Sequence, residues 1–327
     1  MKDSSPAEIS DHTSMSLEHA TPFRIAVVGA GSIGLYYGTK LAASGCEVRF
    51  LMRSGFEEAK SSGIHVYSQL GDNHLRHPEI FLKAEDIAPV DCVLISVKST
   101  TNSILEHILP HFAPNAIVMT LQNGLGNEEF LSRFVSPSQI LGALCFVCLT
   151  RSSPAAVHHQ GHGSISIGEF SENRVSPRVE TLVALFKQAG IQAKPVANLL
   201  EERWRKLVWN IPFNGLSVTE GQITVDRILS TPRLLSECKH LMQETLSAAN
   251  ALGLPIEAEY QEMQLKRTAT MGPYSPSTLI DFQAGRELEI EAIWGIPLRK
   301  AKSVGLEMPH LSRLYQRLCE LNPTPST

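Results

Sequence analysis

The sequence predicts an α/β protein in two parts: a parallel sheet wrapped by helices over residues 23–197, then an all-α domain over residues 198–327. Three observations carry this. The stretch Phe23-Arg-Ile-Ala-Val-Val-Gly-Ala-Gly-Ser-Ile-Gly34 leads from a short apolar strand through glycines spaced G-x-G-x-x-G into a small-residue helix. From Phe23 to about Pro195, short apolar runs alternate with helical stretches. Beyond Pro195 the strand signals stop and helical spacing takes over. Near-continuous apolar strands separated by helices are the mark of a sheet buried on both faces.

The glycine-rich turn gives the first domain its Rossmann-type reading. Gly29 permits the tight turn, Gly31 lets a pyrophosphate approach the backbone, and Gly34 lets helix and strand pack closely. Ser32 and Ile33 open the helix, whose free N–H groups and positive dipole end suit phosphate. The second strand, Glu47-Val-Arg-Phe-Leu-Met52, runs into Arg53-Ser54. A site for NAD commonly carries Asp or Glu there to hold the ribose. A guanidinium instead grips a 2′-phosphate, so the cofactor reads as NADP(H).

Further strands are expected at Asp91–Val97, followed at once by Lys98, at Ala116–Leu121, followed by Gln122-Asn123-Gly124, and at Ile140–Val147. Ligands in such sheets lie beyond the carboxyl ends of the strands, which puts Lys98 and Asn123 beside the cofactor. On position alone, each reads equally as an ordinary polar residue where a strand meets a loop. Ser164-Ile-Ser-Ile167 alternates as a half-exposed strand would, in a hairpin near the domain edge. His158, His159 and His162 lack the spacing that brings three ligands to one point, so no metal is assigned. Cys145-Phe-Val-Cys148 reads as two buried core thiols.

The bulk numbers exclude several classes. A net charge of −4 offers no nucleic-acid surface. No run reaches the roughly 20 apolar residues of a membrane span. Six scattered cysteines suit a reducing cytoplasm rather than a disulfide framework. Residues 1–22 are polar, with neither a secretory apolar core nor an arginine-rich leader, and read as a disordered tail. A homodimer is compatible with all of this, and the sequence leaves oligomeric state open.

In the second domain, helical spacing covers Glu201–Leu216, Arg233–Leu252, Pro255–Thr268, Pro276–Ile293 and Leu298–Val304. Lys206, Asn210 and Asn214 stand four apart and drift only about 40° per step, so they share one helix face. Trp204, Leu207, Val208 and Ile211 supply apolar cover. A lysine with two amides suits a site that donates a proton and orients a polar substrate; a solvated polar face fits the spacing equally. Pro212, inside this helix, removes a backbone bond and is expected to kink it between the asparagines. Ser275-Pro276 supports a helix start, with Ser277 in its first turn.

These residues together resemble the ketopantoate reductase (2-dehydropantoate 2-reductase) family. The resemblance runs from about Phe23 to Leu321. It rests on Gly29-Ala-Gly-Ser-Ile-Gly34, Val97-Lys-Ser99, Leu121-Gln-Asn-Gly-Leu-Gly126, Gly163-Ser-Ile-Ser-Ile-Gly-Glu169, Trp204-Arg-Lys206 with Asn210 and Asn214, and Ser277-x-x-x-Asp281 with Glu289-Ile290. It implies that Arg53 holds the 2′-phosphate, that Lys98 lies along the cofactor, and that Asn123 sits near the nicotinamide. It further implies that Lys206 is the general acid, that Asn210, Asn214 and Ser277 anchor the substrate, and that Glu289 orders the lysine and the substrate hydroxyl. Thr278, Leu288 and Trp294 depart from the family's usual residues, on what is expected to be the substrate side. The implied activity is NADPH-dependent reduction of 2-dehydropantoate, a small 2-oxo acid, to pantoate, toward pantothenate and coenzyme A. Another branched 2-oxo acid as substrate, or an NADP(H) sensor without turnover, stand as alternatives.

Overall fold

The structure is a computed structural model that describes residues 21–87 and 89–322. Almost all of the expected tail, residues 1–22, therefore lies outside the described residues. Ten strands form one sheet: β1 (Arg24–Val28), β2 (Glu47–Leu51), β3 (Ile64–Ser68), β4 (Asn73–Leu75), β5 (Glu79–Phe81), β6 (Cys92–Ile95), β7 (Ile117–Thr120), β8 (Ile140–Ser153), β9 (Ala156–Glu169) and β10 (Gln192–Val196). Their order is β4-β3-β9-β8-β7-β6-β1-β2-β5, with β10 also paired to β9. The central β8-β7-β6-β1-β2-β5 run is parallel throughout. Helices α1 (Ser32–Ala43), α2 (Phe56–Ser62), α3 (Leu105–Ile108), α4 (Asn127–Leu131) and α5 (Pro177–Gln188) accompany it.

Successive residues of β1 enter different cores. Ile25 and Val27 pack with Leu35, Tyr37 and Phe186 on one face, and Ala26 and Val28 pack with Leu105 and Leu131 on the other. A sheet buried on both faces needs apolar residues at every position, which is why these strands lack alternation.

Two expectations for the sheet need correction. The β8–β9 hairpin does not sit at an edge. β9 is long enough to pair with β8 along its length, with β3 through Ala156–His159 and with β10 through Ser164–Gly168. Nor is Ser164–Ile167 half exposed: Ile165, Ser166 and Ile167 are all buried. The serines alternate because they face the cleft described below rather than open water. Buried His159 bonds Ser68 Oγ at 2.9 Å and the His162 carbonyl at 3.0 Å, His158 stacks on Tyr67, and His162 lies at the cleft.

After β10 the chain is helical: α6 (Leu199–Thr219), α7 (Val225–Ser230), α8 (Pro232–Ala251), α9 (Glu259–Ala269), α10 (Ser277–Gln283), α11 (Ile296–Ser303) and α12 (Pro309–Leu321). Their shared core is built around fully buried Trp204, Phe213, Leu241, Trp294 and Leu311. The single helix expected over Pro276–Ile293 is two pieces. α10 stops at Gln283, Gly285 takes a left-handed turn, and a π-helical turn follows at Glu291–Gly295. Pro212, expected to kink this helix between the asparagines, lies inside α6, which runs through it as one helix of 21 residues. Proline removes only one backbone donor here, and Trp294 Nε1 bonds the neighbouring Ile211 carbonyl at 3.0 Å. Among the described residues no helix is long and apolar enough to cross a membrane.

The glycine turn shows two different needs for glycine. A Cβ on Gly34 would lie 2.1 Å from the Gly29 carbonyl oxygen. A Cβ on Gly31 would meet nothing within 4 Å. Gly34→Ala should therefore cost about 1–3 kcal/mol in urea unfolding, as overpacking does, while Gly31→Ala should stay within about 0.5 kcal/mol of the parent. Equal losses in the two variants would contradict this division.

Candidate active site

Helix α6 presents its polar stripe to Asn123, just beyond the carboxyl end of β7, and to Cys145 within β8. Asn198 caps it, its side chain accepting from the Glu201 N–H at 3.1 Å. Lys206 Nζ donates to the Cys145 carbonyl at 2.9 Å and lies 5.2 Å from the Phe146 ring centroid. Asn210 Nδ2 donates to Asn123 Oδ1 at 2.9 Å. Asn214 Oδ1 accepts from the Thr278 N–H at 3.2 Å, in the first turn of α10. Asn210 and Asn214 are buried, so this is no solvated face. Lys206, Asn210, Asn214, Ser277 and Asn123 all line one cleft of about 830 Å³ between the sheet and the helices.

Burial pulls the Lys206 ammonium down to about 8. The Cys145 thiol and the Glu289 carboxylate oppose this and the Arg203 charge adds to it. An ammonium desolvated in this way gives up its proton more readily than one in water.

The other expected residues are distributed along the seam. Lys98 Nζ pairs with Asp281 Oδ2 at 2.8 Å and donates to the Glu287 carbonyl at 3.1 Å. Glu289 Oε1 accepts from the Ser99 N–H at 2.9 Å, and burial raises its pKa. Glu289 thus ties the loop after β6 to the helical part and does not line the cleft. At the far end, Gly31 caps α1 with no side-chain cap bond and no acidic residue in the first turn. The open space over Gly31 and the free first-turn N–H groups fit a pyrophosphate. Arg53 follows β2, exposed and with no side-chain partner among the described residues.

Sequence reasoning missed several features. Cys145 and Cys148 are half-buried free thiols lining the cleft, not core residues, and burial raises both. Trp209, Tyr260, Met271 and Tyr274 form an apolar wall beside the polar stripe. Arg203 forms a buried ion pair with Glu128 of α4, with exposures of 3% and 5%, and donates from NH1 to the Gln122 carbonyl at 2.8 Å. The i, i+3 offset from Lys206 was the available signal for Arg203; nothing local pointed to Glu128. Leu288 and Trp294 lie in the helical core, so those departures do not touch the cleft.

Two family profiles match this chain: "Ketopantoate reductase PanE/ApbA" over residues 25–172 and its C-terminal counterpart over residues 198–322. The chain belongs to the ketopantoate reductase family. It is 36% identical over 300 residues to the 2-dehydropantoate 2-reductase of Nostoc sp., covering 90% of this chain and 94% of that one. The crystal structure of the Geobacter metallireducens 2-dehydropantoate 2-reductase superposes with a TM-score of 0.88 at 40% identity, over 91% of this chain and 99% of that one. The Methylococcus capsulatus enzyme gives 0.85 at 33% identity, over 93% and 99%. D-mandelate dehydrogenase in complex with NADH and anilino(oxo)acetate shares the fold, at 0.83 and 21% identity over 91% and 98%. The protein is an oxidoreductase of this family.

The Arg203–Glu128 pair gives a stability prediction. Arg203→Ala strands a buried carboxylate and should cost about 3–5 kcal/mol in urea unfolding. A loss under about 1 kcal/mol would mean that water reaches the pair.

Proposed function

We propose that this protein reduces 2-dehydropantoate to pantoate with NADPH. The observation that carries the reading is the Lys206 ammonium on the cleft wall, flanked by Asn123, Asn210, Asn214 and Ser277. The family profiles on either side of residue 197 support a nucleotide-binding domain over 23–197 and a substrate domain over 198–327. Gly29, Gly31, Ser32, Ile33 and Gly34 would cradle the pyrophosphate, Arg53 the 2′-phosphate, and Asn123 the nicotinamide half. Lying along the cofactor requires Lys98 to leave Asp281. When bound, the reduced nicotinamide supplies the hydride.

The chain's residues do the rest. Asn210, Asn214 and Ser277 hold the carboxylate and hydroxyl ends, so the ketone stays in attacking geometry. Lys206 stabilises the negative charge that grows on the carbonyl oxygen and donates the proton. Glu289, at the Ser99 N–H, orders the seam against which Lys206 and the substrate hydroxyl are set. Free thiols throughout fit a reducing cytoplasm.

A second substrate reading has its own support. The cleft of about 830 Å³ and its wall of Trp209, Tyr260, Met271 and Tyr274 suit a bulkier 2-oxo acid.

Purified protein with NADPH should consume reduced nicotinamide on adding 2-dehydropantoate. Activity only with bulkier oxo acids supports the second reading. Tight NADPH binding without any oxidation would leave a sensor and sink both. Turnover should be flat at acid pH and fall above about 8, because the donor must be protonated and burial sets its loss there. Lys206→Ala should abolish turnover yet keep NADPH binding. Arg53→Ala should weaken NADPH about tenfold more than NADH; equal weakening would remove Arg53 from the phosphate site.

A further inference from the structure

We infer that the Arg203–Glu128 pair is a positioning device for the reduction, setting both the placement of Asn123 and the electrostatic surroundings of Lys206. The inference rests on the reading of Lys206 as the proton donor.

Arg203 lies three residues before Lys206 on α6, so the two side chains are neighbours on the helix surface. Its guanidinium reaches across the seam in two directions. NH1 donates to the Gln122 carbonyl at 2.8 Å, immediately before Asn123. Nε donates to Glu128 Oε1 at 2.9 Å, and NH2 bonds the same oxygen. Asn123 is held on its other sides by Asn127 Nδ2, which donates to its carbonyl at 2.9 Å, and by Asn210 Nδ2 on its side-chain oxygen. Gln122 is fixed in turn by Nε2 donating to the Val97 carbonyl at 2.9 Å. The segment that carries Asn123 is therefore clamped to the helix that carries Lys206 and Asn210.

Strand β8 is thinned to admit this pair. A Cβ on Gly142 would lie 2.4 Å from Glu128 Oε1 and 2.5 Å from Leu199 Cδ2. Any larger residue there displaces the carboxylate or the start of α6.

A pair of apolar side chains of similar volume would hold the seam about as well, since burying two charges costs several kcal/mol per ion. Such a pair could not grip the Gln122 carbonyl, nor place a positive charge one turn from the lysine. The charged and titratable groups facing Lys206 are the Arg203 guanidinium on its own helix, the Cys145 thiol on β8 and the Glu289 carboxylate from the segment before the π-helical turn. The guanidinium favours loss of the lysine proton, and Glu128 offsets part of its charge.

Two changes then act in opposite directions. Glu128→Gln leaves the guanidinium uncompensated, so the alkaline limb of the pH–rate profile should move to lower pH. The double variant Arg203→Met/Glu128→Leu removes the cation, so the limb should move to higher pH, by about one unit. That double variant should also lower kcat about ten- to a hundredfold through the loosened Asn123 segment, with KM for NADPH rising far less, because the glycine turn and Arg53 are untouched. Its thermal unfolding should fall much less than that of Arg203→Ala, because apolar replacement of a buried pair is well tolerated and the main cost left is the unpaired Gln122 carbonyl. It keeps the test available if Glu128→Gln fails to fold.

The measurement is steady-state turnover of the full chain with NADPH and 2-dehydropantoate across the alkaline range, with Lys206→Ala in parallel. Opposite shifts of the limb, with kcat falling far more than KM for NADPH rises, support the inference. Parent-like limbs and kcat in both variants, or shifts in the same direction, overturn it while leaving the acid role of Lys206 standing. Parent-like turnover in Lys206→Ala removes the donor reading and this inference with it.

Discussion

A buried ion pair at the seam is the constraint on which the geometry of the candidate site depends. Arg203 and Glu128 are almost wholly withdrawn from water and come from different halves of the chain. Each alone would be a stranded charge, so the sheet and the helices hold their charges only in contact. That contact sets α6 against the carboxyl end of β7 and the Cys145 stretch of β8. The polar stripe of α6 then meets Asn123 and the Cys145 carbonyl, and the cleft acquires its chemistry. Ser99 with Glu289, and Lys98 with Asp281, close a second stretch of the same seam. The lysine can be desolvated because its surroundings are assembled from both halves at once.

Local rules made much of this legible in the chain. The glycine turn could be read because the G-x-G-x-x-G spacing is local to one strand, turn and helix, although the contacts that crowd Gly29 come from Ser96 and Val97. The central strands could be read because burial on both faces demands unbroken apolar runs. The stripe of Lys206, Asn210 and Asn214 could be read because helical spacing is a property of the helix alone. The polar partners of that stripe could not. The Cys145 carbonyl, Asn123 Oδ1 and the Thr278 N–H lie 61 to 87 residues away in sequence. The hairpin's central place in the sheet depends likewise on strands β3 and β10, which pair with different halves of β9. α6 runs through Pro212 without a break because its packing against α8 and α12 outweighs one missing backbone bond.

The departures from the family pattern take on a new meaning once placed. Leu288 and Trp294 fill the helical core, and Trp294 Nε1 bonds the Ile211 carbonyl of α6. They bear on how α6 is supported and not on what the cleft admits. The walls of the cleft are Asn210, Asn214 and Ser277 on the polar side, and Trp209, Tyr260, Met271 and Tyr274 on the apolar side. On the proposed reading, the polar side would hold the 2-oxo acid and the apolar side would limit the size of its side chain.

The most direct test of the account is a crystal structure of the ternary complex with oxidised cofactor and the 2-oxo acid. The account predicts Lys206 Nζ at hydrogen-bond distance, about 3 Å, from the keto oxygen, with Arg203 still on Glu128 and the Gln122 carbonyl. A complex in which Nζ stays on the Cys145 carbonyl, away from the keto oxygen of a bound substrate facing the nicotinamide, would contradict it.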